Sequence, residues 1–185
     1  EALFDPLSLV QSMVHNMQTI HGSLASCQTA AEQVRAVSGF DRVLVYRFLS
    51  DGAGEVVAES AAEGLEPYLG LRYPASDIPR QARELYLQNW LRIIPDAKYQ
   101  PAPLHPDVNP FTSLPLDMSQ LALRSVSPVH LEYHRNMGVR ASMSLSLIVE
   151  GRLRGLIACH HASMHFLDHE RRVTLELFAQ MASYI

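Results

Sequence analysis

Apolar side chains at Leu9, Val10, Met13, Val14, Met17, Ile20 and Leu24 keep the three- and four-residue spacing of one helical face. They predict a single helix within residues 1–26. The period then changes to two. Residues 43–48 read as a strand, Asp51, Gly52, Ala53 and Gly54 supply turn chemistry, and residues 55–58 resume as its partner. A helix is expected to start near Pro79 and run through Gln81, Ala82, Leu85 and Tyr86 to about Gln88, with a short strand over 90–94 after it. Residues 142–149 alternate, with Ser142, Ser144 and Ser146 on one face and Met143, Leu145 and Leu147 on the other. Glu150 and Gly151 turn the chain and residues 153–159 return, which predicts a hairpin. Asp168 caps a closing helix over 168–185, with Val173, Leu177, Phe178 and Met181 on its apolar side.

Two further segments complete the order. Ser127 and Pro128 stand at the cap and first position of a helix that Gly138 terminates. Residues 96–115 carry prolines at 101, 103, 106, 110 and 115, so they form a long irregular insertion, of a length that is usually functional or disordered. Strands joined mainly by hairpins, with helices gathered to the side, predict an α+β domain on an antiparallel sheet over residues 1–185.

A chain of 185 residues with 48% hydrophobic and 18% charged residues suits one soluble domain with a real core. Its net charge of −4 gives no reason to expect nucleic acid or a membrane surface. No apolar run approaches the ~20 residues of a membrane helix, and no signal peptide is visible. Cys27 and Cys159 are far apart and in no metal or redox spacing, which favours a reducing, cytoplasmic setting and two small buried hydrophobes. A start on Glu1 suggests a fragment of a longer protein.

The most constrained stretch is Arg72, Tyr73, Pro74, Ala75, Ser76, Asp77, Ile78 and Pro79. Its prolines fix their own φ and hold Tyr73 and Ile78 extended. Taken alone, Asp77 or Ser76 is expected to cap the next helix, and a cap is also a rigid mount for a ligand acceptor. His130, Tyr133 and His134 share one helical face, where core packing with backbone partners competes with a ligand edge. The three serines suit either a solvent-facing sheet or a ligand carboxylate. Gly155 and Ala158 leave room for something flat. Arg92 and Arg124 lie in apolar surroundings, as carboxylate clamps or as surface residues lying over apolar neighbours. His161, His165 and His169 recur every four residues, but the cap at Asp168 breaks the period, so zinc is not expected. No phosphate-cradling loop, nucleophile elbow or zinc-protease motif is present, and no enzyme is predicted.

These residues match a known pattern. Residues 40–48, the run 74–79, residues 123–125 with Ser127, Pro128, Val129 and His130, residues 135–139 and residues 155–161 together resemble the GAF domain of phytochromes, bacterial phytochromes most of all. The resemblance runs from about Asp41 to His161. It implies a GAF-like antiparallel sheet flanked by helices, with residues 96–115 as the family's knot-forming insertion. It also implies a linear tetrapyrrole, biliverdin, in a pocket. Asp77 and His130 would hold the pyrrole nitrogens. Tyr46, Tyr73 and Tyr133 would surround ring D, and His160 would bond its carbonyl. Arg92 and Arg124 would pair with the propionates, helped by Ser142, Ser144 and Tyr86, while Ile78 and Pro79 pack on the ring plane.

The resemblance further implies isomerisation driven by red or far-red light and an output module, such as a histidine kinase, reached through PAS and PHY domains that this chain lacks. Val129 occupies the place of the plant-type attachment cysteine, so the chromophore is expected to bind non-covalently to this fragment, or through a link that a missing segment would supply. His134 and Arg154 depart from the family's usual leucine and tryptophan. A homodimer through the first and last helices is expected. The competing readings are a GAF domain sensing another small ligand, such as a cyclic nucleotide, and a purely structural dimerisation domain.

Overall fold

In the computed structural model, which describes residues 5–184, the two periods of the sequence become the two faces of one sheet. The strands are β1 (Arg42–Phe48), β2 (Gly54–Ala61), β3 (Arg72–Tyr73), β4 (Leu91–Ile94), β5 (Ala141–Val149) and β6 (Arg152–His161). They pair antiparallel in the order β3-β2-β1-β6-β5-β4. The helices are α1 (Pro6–Gln18), α2 (Ser23–Ser38), α3 (Arg80–Gln88), α4 (Pro128–Asn136) and α5 (His169–Ala182). The fold is the expected α+β arrangement, an antiparallel sheet flanked by helices.

On one face α1, α2 and α5 pack over Val43, Val45, Met143, Leu145, Ile157 and Cys159, which form the main core. On the other face Leu44, Tyr46, Val56 and Leu156 form a smaller cluster, half covered by Tyr73, Ile78 and Tyr86. Strand alternation assigns each residue its face. That second face also carries a buried ion pair, Arg42 with Glu59 at 3.2 Å, with the Arg42 guanidinium against the Tyr68 ring.

The single N-terminal helix expected within residues 1–26 is instead two helices, and residues 1–4 of that range lie outside the described residues. Asp5 caps α1 through the amides of Leu7 and Ser8. The chain then turns at Gly22, whose φ of 106° suits a residue without a Cβ. Leu24 therefore starts a new helix and is 59% exposed.

The closing helix also presents a different face from the one expected. Thr174, Leu175, Phe178 and Ala179 are buried, while Val173, Leu177 and Met181 are exposed. Its predicted last residue, Ile185, lies outside the described residues. The irregular excursion is longer than 96–115. No helix or strand occurs between β4 and α4 apart from one bridge, Val108 to Pro115.

Alternation in β5 holds through Leu147 and then breaks at a bulge between Leu147 and Ile148, where Ser183 on the last turn of the chain donates its hydroxyl to no strand partner but accepts the Ile148 amide at 3.1 Å. Among the described residues no helix is long and apolar enough to cross a membrane.

Candidate functional site

The second face of the sheet, α3, α4 and the turn before α3 enclose a cavity of about 710 Å³. Sheet register builds its floor. One row across the strands reads Arg92, Ser144, Ala158, Leu44, and the next reads Ile94, Ser142, His160, Arg42. Tyr46 stands on β1 where the extra residue Val57 on β2 shifts the register. Its ring lies 6.0 Å from that of Tyr73 on β3 and 5.3 Å from that of Phe48. It also lies directly over Gly54, where an added Cβ would stand 1.7 Å from the ring carbon Cζ. Tyr86 enters from α3, and His130 and Tyr133 from α4. Arg124 comes from the long loop. Asp77, Ile78 and Pro79 form the rim. All thirteen side chains singled out from the sequence thus line one cavity.

The rim differs from its expected local role. Asp77 ends a turn of 3₁₀ helix over Ala75–Asp77, and the capping position of α3 is Pro79, with no side-chain cap. Ile78 and Pro79 are extended, so the Asp77 carboxylate stands too far ahead of the helix to reach its first amides, and Ser76 makes no cap either. Arg83 supplies the rigidity instead. Its guanidinium donates to the carbonyls of Ile78 (Nε, 2.8 Å) and Gly52, and lies 4.4 Å from the Phe48 ring centroid. Sequence reasoning missed this residue, because its partners are 31 positions away at Gly52 and only five at Ile78.

The serine strand divides its work. Ser142 and Ser144 line the cavity, whereas Ser146 is fully buried and donates its hydroxyl to the Tyr86 carbonyl at 2.8 Å, fastening α3 to the sheet. The face is therefore not solvated. Nor does Gly155 leave room for a ligand: a Cβ there would stand 2.5 Å from the Tyr46 carbonyl, so the space belongs to β1. Ala158 does line the cavity. His161 and His165 stack at 4.8 Å, and the His165 Nε2 lies 2.7 Å from the Ser38 carbonyl, tying the exit of β6 to the end of α2.

Charge in the cavity is unbalanced. Arg92 and Arg124 face it, neither is paired with a carboxylate among the described residues, and burial together with Arg92 pushes the Arg124 guanidinium below its usual range. Burial raises the hydroxyls of Tyr46 and Tyr73, and raises Tyr133 to about 12, with the Asp77 carboxylate beside it adding to the effect. These phenols stay protonated and can donate.

Burial lowers His130 to about 4, with His134 and Arg92 adding to it, and lowers His160 to about 3. Both imidazoles are neutral near pH 7. His134, on the same helical face as His130, is buried, lines the cavity and stacks on His130 at 4.5 Å. Cys27 and Cys159 do not line the cavity, and burial raises both thiols.

Comparison with known proteins identifies the fold. The family model described as GAF domain matches residues 24–185. The chain is 57% identical over 156 residues to cyanobacterial phytochrome B of Nostoc sp., covering 84% of this chain and 21% of that protein. It is 47% identical over 175 residues to a bacteriophytochrome of Pseudomonas aeruginosa, covering 95% and 24%. It therefore spans less than a quarter of the length of these relatives. The crystal structure of the chromophore-binding domain of an unusual bacteriophytochrome from R. palustris superposes with a TM-score of 0.92 at 44% identity, covering 96% of this chain and 59% of that one. The chain belongs to the GAF domain family, and the relatives it matches there are phytochromes.

Proposed function

We propose that this domain is the light-sensing unit of a bacterial phytochrome and holds a linear tetrapyrrole, biliverdin, without a covalent link. The observation that carries the reading is the pair Arg92 and Arg124, two cations facing one cavity, neither in an ion pair with a carboxylate of the described residues, while the one carboxylate of the lining, Asp77, stands at the rim. A ligand that brings two carboxylates would balance both, and a fork-shaped guanidinium suits each. The cavity also has the size of a small-molecule site and the expected mix of apolar walls and a few convergent polar groups.

When bound, the bilin supplies light absorption and isomerisation about its bridge to ring D; the residues supply the rest. Arg92, Arg124, Ser142, Ser144 and Tyr86 anchor its carboxylates. Asp77 and His130 hold the protonation state of its nitrogens. Tyr46, Tyr73 and Tyr133 shape the end that turns, His160 bonds its carbonyl, and Ile78 and Pro79 pack on the plane.

In this reading residues 96–115 are the family's knot-forming insertion, and PAS, PHY and output modules, such as a histidine kinase, lie elsewhere in a cytoplasmic protein. The domain itself performs no catalysis. Exposed Leu7, Leu24, Val173, Leu177 and Met181 on α1, α2 and α5 supply an apolar surface for a homodimer.

Mixing the protein with biliverdin and recording absorbance before and after red light tests the proposal. A red-shifted band that changes on illumination is expected, and a spectrum identical to free biliverdin overturns it. Bilin retained on a zinc-stained denaturing gel would overturn the non-covalent part alone. The two arginines also suit a phosphate, so a cyclic nucleotide is the second reading; a nucleotide that raises the melting temperature where biliverdin does not would favour it.

A further inference from the structure

The residue that the bilin reading leaves without a task is His134. It is the one fully buried residue of α4, 4% exposed, and it lines the cavity. A leucine would fill the same space with no polar atom to satisfy. Instead an imidazole is held there with its Nδ1 enclosed and unpartnered. Native interiors keep few such groups, because an unmet polar atom opposes folding.

The surroundings fix its chemical form. His130 stacks on it from the same helix at 4.5 Å and 28°, and His160 on β6 meets it edge-on at 6.5 Å. Arg92 on β4 also faces it, and Arg42 on β1 stands beyond His160. None of these groups is negative, and burial dominates, so the ring remains neutral. A neutral imidazole carries one N–H and one lone pair, and the His130 backbone one turn back acts on the ring as a hydrogen-bond acceptor would. With the proton on Nδ1, the other nitrogen, Nε2, keeps its lone pair. Nε2 is not among the fully enclosed polar atoms and makes no hydrogen bond among the described residues.

We propose that His134 is a further binding residue of this cavity, with its Nε2 accepting a hydrogen bond from an N–H of the bound tetrapyrrole. This rests on the bilin reading above. Together with His130 it places two imidazoles, one turn apart, against the nitrogen edge of the ligand.

The test combines two variants with one measurement on the unaltered protein. Biliverdin affinity, measured by absorbance titration, is expected to fall roughly three- to tenfold in His134→Leu, the loss of one net hydrogen bond. In His134→Gln, whose amide oxygen accepts, it is expected to return to within about twofold. In the unaltered protein, the ¹⁵N resonance of the His134 Nε2 is expected to move toward the hydrogen-bonded range on adding biliverdin. Thermal melting of the ligand-free variants checks their folding, and if either fails to fold the ¹⁵N shift decides. Unaltered protein that does not bind biliverdin overturns the bilin reading and this inference with it. Binding by the unaltered protein, equal affinity in His134→Leu and an unmoved Nε2 resonance overturn this inference alone.

Discussion

Acidification provides a direct test of the histidine cluster. In the ligand-free fold His130 and His134 are lowered to about 4 and His160 to about 3, each chiefly by burial, against an ordinary value near 6.5. The unfolded chain therefore takes up protons first as pH falls. Stability is full above pH 6.5 and is lost as pH drops through 6.5 toward the folded values, the direction expected when the unfolded state binds more protons. Each histidine accounts for about 2 kcal/mol of loss between pH 7 and pH 5, so the three together approach about 6 kcal/mol. That is comparable with the whole stability of an ordinary domain.

Stopping at pH 5 keeps the lowered carboxylates largely out of the measurement, whereas Glu176, raised by burial, takes up its proton earlier and opposes the loss. The lowered groups Asp5, Glu55, Asp96, Asp117 and Asp168 lose their contribution only below their ordinary values near 4. Urea unfolding at pH 7, 6, 5.5 and 5, followed by fluorescence of the one tryptophan, Trp90, gives the slope. His134→Leu should remove about a third of the pH dependence while leaving the protein at least as stable at pH 7. A total loss under about 1 kcal/mol, or an unchanged slope in that variant, refutes the account of three buried neutral rings.

Two further outcomes follow from contacts outside the cluster. Gly54→Ala forces the Tyr46 ring away from a Cβ that would stand 1.7 Å from it, and the ring has Phe48 and Tyr73 on its other sides. A loss of about 1–3 kcal/mol in urea unfolding is expected, with altered biliverdin absorbance, and an undisturbed melt and spectrum would contradict the packing. The double variant Leu177→Glu, Met181→Glu places two charges on the exposed stripe of α5 and should convert a dimer to a monomer in analytical ultracentrifugation without lowering biliverdin affinity; an unchanged dimer would place the interface elsewhere.

Periodicity and turn chemistry alone determined most of the framework. The alternation of β5, the cap at Asp168, the start of α4 at Ser127 and Pro128 (where Ser127 makes no side-chain cap) and the glycine-rich turn before β2 are local signals, and a side chain's face follows from them directly. The candidate site was legible chiefly through the resemblance to phytochrome GAF domains, which named thirteen residues, and every one of them lines the cavity.

Tertiary structure decided what depends on neighbours distant in sequence. Only the packed fold shows that α1 and α2 part at Gly22, or that α5 buries Thr174 and Ala179 rather than Val173 and Met181. Ser146 serves α3 instead of the cavity because Tyr86 lies above it, and Gly155 is occupied by the Tyr46 backbone. Asp77 was expected as a cap, but two extended residues carry it out of reach of α3 and Arg83 holds the turn. The histidine cluster is the clearest case. Helical spacing brings His130 and His134 together, but only sheet register and the packing of α4 bring His160 against them. Sequence period records which way a side chain points; which distant groups it then meets, and hence its charge state, is set by the contacts of the folded chain.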